Sequence, residues 1–288
     1  MSVVSITTCV KKKDKVISMA FKIGFAADYT ERKVETPVVV EPRSIAPRKS
    51  VVQVLFPGRG SSLAYYNDQF DLHVGDIVYV DGKLEGQRGR VVEVTYNFKI
   101  KVSDYKRVIG LADTEVHGQF FNAGSHFITF DRAALPQSKI VTWYKAPAKE
   151  DDEFVSGSDD TTFSLDDLKS MKISAAIAER GHDYYMENRV GYIRIDGTKG
   201  YAIVEGSEPY EVEFEYKGGE ISQLICSCFC SYNCKHGFAA MLQLKETLEM
   251  IEKHYAAQYD ETGYFAAVNK GTLFSFAIDG KEAGSFTL

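Results

Sequence analysis

Residues 226–236 contain the chain's clearest chemical signal. Cys226-Ser227-Cys228 is followed, after the short loop 229–233, by Cys234-Lys235-His236. The first pair lies at the end of a run that alternates as a strand, where side chains two apart point the same way. The second pair opens a helical pattern, and a helix N-terminus favours the thiolate form of Cys234. Three thiolates and one imidazole make a closed tetrahedral donor set, the kind that holds a structural Zn²⁺ rather than a catalytic one. Such a site would contribute to folding its own loop. With Zn²⁺ bound the cluster would carry a net −1, which Lys235 is placed to offset in part. A further thiol, Cys230, lies in the loop and is either a spare or an alternative to Cys228 or His236. The bland reading of the same cluster is a set of packed free thiols without metal.

The elements that must position these residues are legible nearby. Ile173–Asn188 reads as a helix with Ser174 as its N-cap. Strands are expected at Val190–Ile195, Tyr201–Val204, Tyr210–Tyr216 and Ile221–Cys226. In the third, Val212, Phe214 and Tyr216 share one face, and Glu211, Glu213 and Glu215 the other. A last helix runs from about Lys235 to Tyr255, with Leu244, Leu248, Ile251 and Tyr255 as its apolar stripe. Ser164–Lys169 reads as a further short helix, and Gly181 weakens the middle of the helix around it.

Cys-x-Cys, a short loop, Cys-x-His and an amphipathic helix, preceded by Arg180-Gly181-His182-Asp183-Tyr184-Tyr185 and a strand meander, resembles the SWIM zinc finger over residues 171–254. The resemblance implies a domain for DNA or protein contact, with a Swi/Snf-type ATPase among the partners to expect. The loop between the two pairs is short, and the extra thiol in it departs from the pattern.

Upstream the chain reads as short strands and turns. Val51–Phe56 closes at Pro57-Gly58-Arg59-Gly60, Ile77–Val80 ends at Asp81-Gly82, and Arg90–Tyr96 resumes the alternation. The stretch 74–94 resembles the meander of a small SH3-like barrel. Phe127–Phe130 and Ile140–Tyr144 are the clearest later strands. Residues 146–162 are polar and acidic, too poor in apolar groups to offset their chain entropy. The expected organisation is therefore α+β: a β-rich, barrel-like domain at 1–145, an acidic linker at 146–162, and a zinc-finger domain with an extension at 163–288.

Charge is uneven. Residues 1–146 carry 21 Lys+Arg against 15 Asp+Glu, whereas 147–170 carry 2 against 8. Any nucleic-acid footprint belongs to the first half. There, Gly86-Gln87-Arg88-Gly89-Arg90 with Lys99, Lys101, Lys106 and Arg107 offers a basic patch beside Tyr65, Tyr66 and Tyr96; its plainer reading is an ordinary polar loop. Asp113, Glu115 and His117, with His126 and Asp131 nearby, lack a nucleophile or second ligand pair, and read as a solvated strand face. Pro57–Ser62 lacks the Lys-Ser/Thr ending of a phosphate loop. The sole Trp143 reads as core, and Cys9 as a small filler. No signal peptide or membrane span is evident, which fits a cytoplasmic protein, or a nuclear one in a nucleated cell. A non-catalytic interaction module that recruits a protein partner is the leading expectation, with no small-molecule substrate. Direct DNA or RNA binding through the basic loops is the alternative, since Glu211, Glu213, Glu215 and Glu220 near the cysteines would repel phosphates.

Overall fold

A computed structural model describes residues 4–12, 15–23, 47–148, 155–157, 161–228, 230, 233–277 and 284–287. The α+β class is as expected. β1 (Val4–Lys12) and β2 (Lys15–Ile23) form an antiparallel hairpin, and Gly284–Thr287 pairs with the other edge of β1. The Cys9 side chain lies outside what is described, as does most of the acidic segment 146–162.

β3 (Ser50–Leu55), β4 (Leu63–Asn67), β5 (Ile77–Val80), β6 (Arg88–Thr95) and β7 (Val108–Ala112) form an antiparallel sheet in the order β4-β3-β6-β5-β7. Their β-branched residues alternate inward: Val52, Val54, Val78, Val80, Val91 and Val108 bury around Phe56 and Leu72. The expected barrel does not close. β4 and β7 meet through one parallel bridge, Tyr66 with Arg107, because Arg107 lies just before β7 begins. Nor is Asp81-Gly82 a two-residue hairpin turn. It opens a 3₁₀ turn, Gly82–Leu84, that buries Leu84, while the Asp81 carboxylate accepts the Arg107 N–H at 2.6 Å.

The rest of the chain builds one larger antiparallel sheet. Along it come β8 (Phe120–Ala123), β9 (Phe127–Phe130), α1 (Gln137–Tyr144), β10 (Thr162–Ser164), α2 (Ala175–Met186) and β11 (Val190–Asp196). They are followed by β12 (Lys199–Glu205), β13 (Pro209–Lys217), β14 (Glu220–Cys226), α3 (Lys235–His254), α4 (Ala256–Thr262), β15 (Tyr264–Asn269) and α5 (Lys270–Ala277), while β16 (Gly284–Thr287) is the strand already paired with β1. The sheet order is β10-β14-β13-β12-β11-β15-β9-β8. Strands from both sides of the acidic segment therefore share this sheet, so its edge does not coincide with the expected boundary at 146–162.

Both faces of the sheet are covered, which is why its middle strands are apolar throughout rather than alternating. On one face Ile193, Ile195, Ala202, Val204 and Phe214 pack under α3 through Ala240, Leu244 and Ile251. On the other, Tyr192, Ile203, Ala266 and Val268 pack under α1 and α5. Trp143 is fully buried there, stacked on Phe276 at 5.2 Å with Nε1–H donating to the Asp113 carbonyl at 2.7 Å. That agrees with its reading as core.

Two expected elements differ. Ile140–Tyr144 lies in a helix, not a strand. Pro136 sets its start, and Ile140, Trp143 and Tyr144 take the i, i+3, i+4 spacing that one helix face buries. Ser164–Lys169 is not a helix. Thr162–Ser164 instead pairs with β14, and a 3₁₀ turn follows at Leu168–Met171, capped by the Asp167 carboxylate.

Candidate metal centre

β14 ends at Cys226, opposite Val212 of β13. The start of the turn that follows is pinned to β13 by two bonds: the Ser227 N–H donates to the Glu211 carbonyl, and the Glu211 N–H to Ser227 Oγ, each at 2.9 Å. Cys228 is thereby held beside Cys226. From the other side, Cys234 is the N-cap of α3, and its Sγ accepts the Gly237 N–H at 3.4 Å. His236 sits on the first turn of the same helix and is 5% exposed.

These elements bring one ligand atom from each of Cys226, Cys228, Cys234 and His236 to within 4.8 Å of one another, a group that can hold a metal ion. His236 Nδ1 lies 3.8 Å from both Cys226 Sγ and Cys234 Sγ, so Nδ1 is the nitrogen facing the thiols. Among the described residues this is the one such group of His, Cys, Asp or Glu. Cys230 is exposed and stands outside it. Cys226 and Cys234 share a hydrogen bond. The hydrogen bond from the Cys226 thiol, helped by His236 and the Gly237 N–H, holds Cys234 far below the ordinary thiol range. The same bond, with burial, pushes Cys226 up. Burial also raises Cys228. The first thiolate of the set thus forms at Cys234, beside the helix N-terminus. A cation entering the cluster would take the place of the remaining protons.

Two supporting contacts escaped the sequence reading. Tyr210 stacks on the His236 imidazole, centroids 4.1 Å apart at 20°. Gly206 makes room for both rings: a Cβ there would come within 2.8 Å of Tyr210 and 3.3 Å of His236 Nε2. No local pattern announces either residue, because the contacts join β12, β13 and α3. Gly181, read as a weak point of its helix, is where α2 and α3 meet. Its added Cβ would lie 2.9 Å from both the Lys235 carbonyl and Phe238 Cβ. Lys235 is directed at α2, its ammonium donating to Tyr184 Oη at 2.7 Å and lying 4.3 Å from that ring's centroid.

The other candidate residues do not converge. Residues 113–117 are irregular, not a strand. Asp113 pairs with Lys139 at 2.8 Å, and His117 with Glu115 at 3.8 Å. In the basic patch, Arg88 donates to the Trp143 carbonyl at 2.7 Å, and Arg107 pairs with Asp68 at 2.7 Å. Tyr65 and Tyr66 are each 5% exposed, leaving no ring surface for stacking bases. Among the described residues no helix is long and apolar enough to cross a membrane. Compared with protein-family models, with curated proteins and with solved structures, the chain matches none.

Proposed function

We propose that Cys226, Cys228, Cys234 and His236 hold one structural Zn²⁺, and that the finger so formed is a non-catalytic protein-interaction module, an adaptor within a DNA-associated complex. The observation that carries the metal reading is the convergence of three sulfurs and Nδ1 from a pinned turn and a helix start. A tetrahedral zinc with Zn–S of about 2.3 Å and Zn–N of about 2.0 Å separates its ligand atoms by roughly 3.5–3.8 Å. The two Sγ–Nδ1 distances of 3.8 Å suit that spacing. Softness favours zinc as well, since a thiolate-rich set disfavours Mg²⁺ and Ca²⁺. When bound, zinc would supply only cross-linking: four protein donors close its shell, and the chain's own part is to tie β14 to α3.

The interaction reading rests on the resemblance to SWIM fingers and on charge. Glu213, exposed and opposite Ile225 just before the turn, adds negative charge there, which favours a protein partner over a phosphate backbone; Glu211 is ion-paired with Lys145, and Glu220 lies at the far end of β14. The competing reading, direct DNA or RNA binding through the first half's basic loops, draws less support because Arg88 and Arg107 are engaged within the chain. The test is a pull-down with the tagged zinc-loaded chain from its own cells, treated with nuclease, beside a DNA mobility-shift titration. A partner such as a Swi/Snf-type ATPase that survives nuclease and is lost with Cys234→Ser supports the adaptor. A salt-dependent shift of naked DNA with no protein partner overturns it.

A further inference from the structure

On the sheet face opposite α3, three buried polar groups come together without partners. Tyr192 and Arg194 are two apart on β11, so both point into the layer that α1 and α5 cover. Tyr201 of β12 lies directly across from Arg194, and its ring meets that of Tyr192 edge-on, centroids 6.1 Å apart. On the other side of Arg194, β15 offers only the methyl group of Ala266. Tyr192 and Tyr201 are buried, and their hydroxyls, like Arg194 Nε, have no hydrogen-bond partner among the described residues. Tyr264 and Gln137 stand near the two hydroxyls without bonding them. Asp196, next along the same face of β11, is held by Arg132 at 2.6 Å and lies 3.9 Å from an Arg194 Nη atom. Glu213, across from Tyr201 on β13, is exposed. The Arg194 side chain is 22% exposed, so its outer end meets solvent while Nε lies inside with the two hydroxyls.

We propose that Arg194, Tyr192 and Tyr201 form a binding site for a small carboxylate, whose oxygens accept the Arg194 Nε–H and the two tyrosine O–H groups. Buried polar groups are almost always paired, so three orphans in one place call for an occupant. Arg194 Nε–H can only donate. Burial raises the pKa of both phenols, so both hydroxyls stay protonated and can donate as well. Three donors at one spot need an acceptor with several lone pairs and no hydrogens of its own, which a carboxylate is. Hydrogen bonds to its negative charge, with a guanidinium among the donors, are of the strong kind. One guanidinium balances one negative charge, which suits a carboxylate better than a doubly charged phosphate. The site lies on the face away from the cysteines, so this inference stands apart from the metal reading.

The test titrates the full chain with sodium acetate, sodium chloride holding the ionic strength constant, and follows backbone amides and the Arg194 Nε–H by NMR. Inorganic phosphate is titrated in a parallel arm. The expected result is a saturable shift of Arg194 Nε–H and of the amides around Tyr192 and Tyr201 with acetate. Affinity should fall about tenfold with Tyr192→Phe or Tyr201→Phe, each of which removes a single hydrogen bond to charge, and binding should be lost with Arg194→Gln. The two phenylalanine variants change one oxygen each, which keeps the test valid should Arg194→Gln misfold. Saturation by phosphate and not by acetate overturns the carboxylate assignment. So does acetate saturation that all three variants leave unchanged. No saturable shift, together with a high-resolution crystal structure grown in acetate that shows only water at the site, or Asp196 turned onto Arg194 Nε, overturns the site itself.

Discussion

Tyr210 and His236 lie face to face, ring centroids 4.1 Å apart and planes 20° from parallel. Tyr210 is on β13 and His236 on α3, so this stack fixes the imidazole with Nδ1 toward the thiols. His236 Nε2 is buried with no hydrogen-bond partner, so ring packing holds the orientation here in place of a hydrogen bond from that nitrogen. Removing a group that orients a ligand typically costs about 10–100-fold in metal affinity. Tyr210→Ala should weaken zinc binding by that order in competition with a chromophoric chelator, while Tyr210→Phe stays within about threefold. Equal affinity for Tyr210→Ala and wild type would show that the stack does not orient the ligand.

Gly181 offers a test of how α2 is held to α3. Alanine is favoured over glycine in a helix by about 1 kcal/mol. Here the new methyl group would meet the Lys235 carbonyl and Phe238 Cβ at 2.9 Å, and overpacking of that kind costs about 1–3 kcal/mol. Gly181→Ala is therefore expected to destabilise the chain in urea titrations. A rise in stability would mean that the two helices part easily.

His126 gives a pH signature separate from the metal. Burial, the largest influence, lowers its pKa below the ordinary 6.5, against opposite pulls from Glu246 and Gln243. As pH falls below 6.5 the unfolded chain takes up this proton before the folded chain does, so stability falls toward the folded pKa. Comparing wild type with His126→Asn across about pH 5 to 7.5 cancels the titration of Cys226, Cys228, Cys234 and His236, which are common to both. The difference in Tm should shrink or invert in favour of His126→Asn as pH drops. A difference independent of pH would contradict the assignment.

The four residues that could hold a metal, the strands that lead to them and the helix that follows are legible in the sequence, because each depends on near neighbours. Ser174 caps α2 as its type predicts, accepting the Ile177 N–H. What escaped the sequence depends on distant partners. β15 is apolar up to Asn269, and only its pairing with β11 on one side and β9 on the other shows that Tyr264–Asn269 is an inner strand. β8 and β9 look like any upstream strands until β9 joins β15. Ile140–Tyr144 has strand-forming residue types, but its helix is decided by a start at Pro136 and by a surface to bury against. Gly181 and Gly206 read as breaks in a pattern, whereas each makes room for a ring or a helix.

Native mass spectrometry of the purified chain, with and without chelator, for wild type and Cys234→Ser, tests the central claim most directly. The account predicts one zinc per wild-type chain, and loss of that zinc in Cys234→Ser together with weakened protection of residues 226–240 in hydrogen exchange. A well-folded wild-type chain that carries no metal, and takes none up when zinc is supplied, would contradict it.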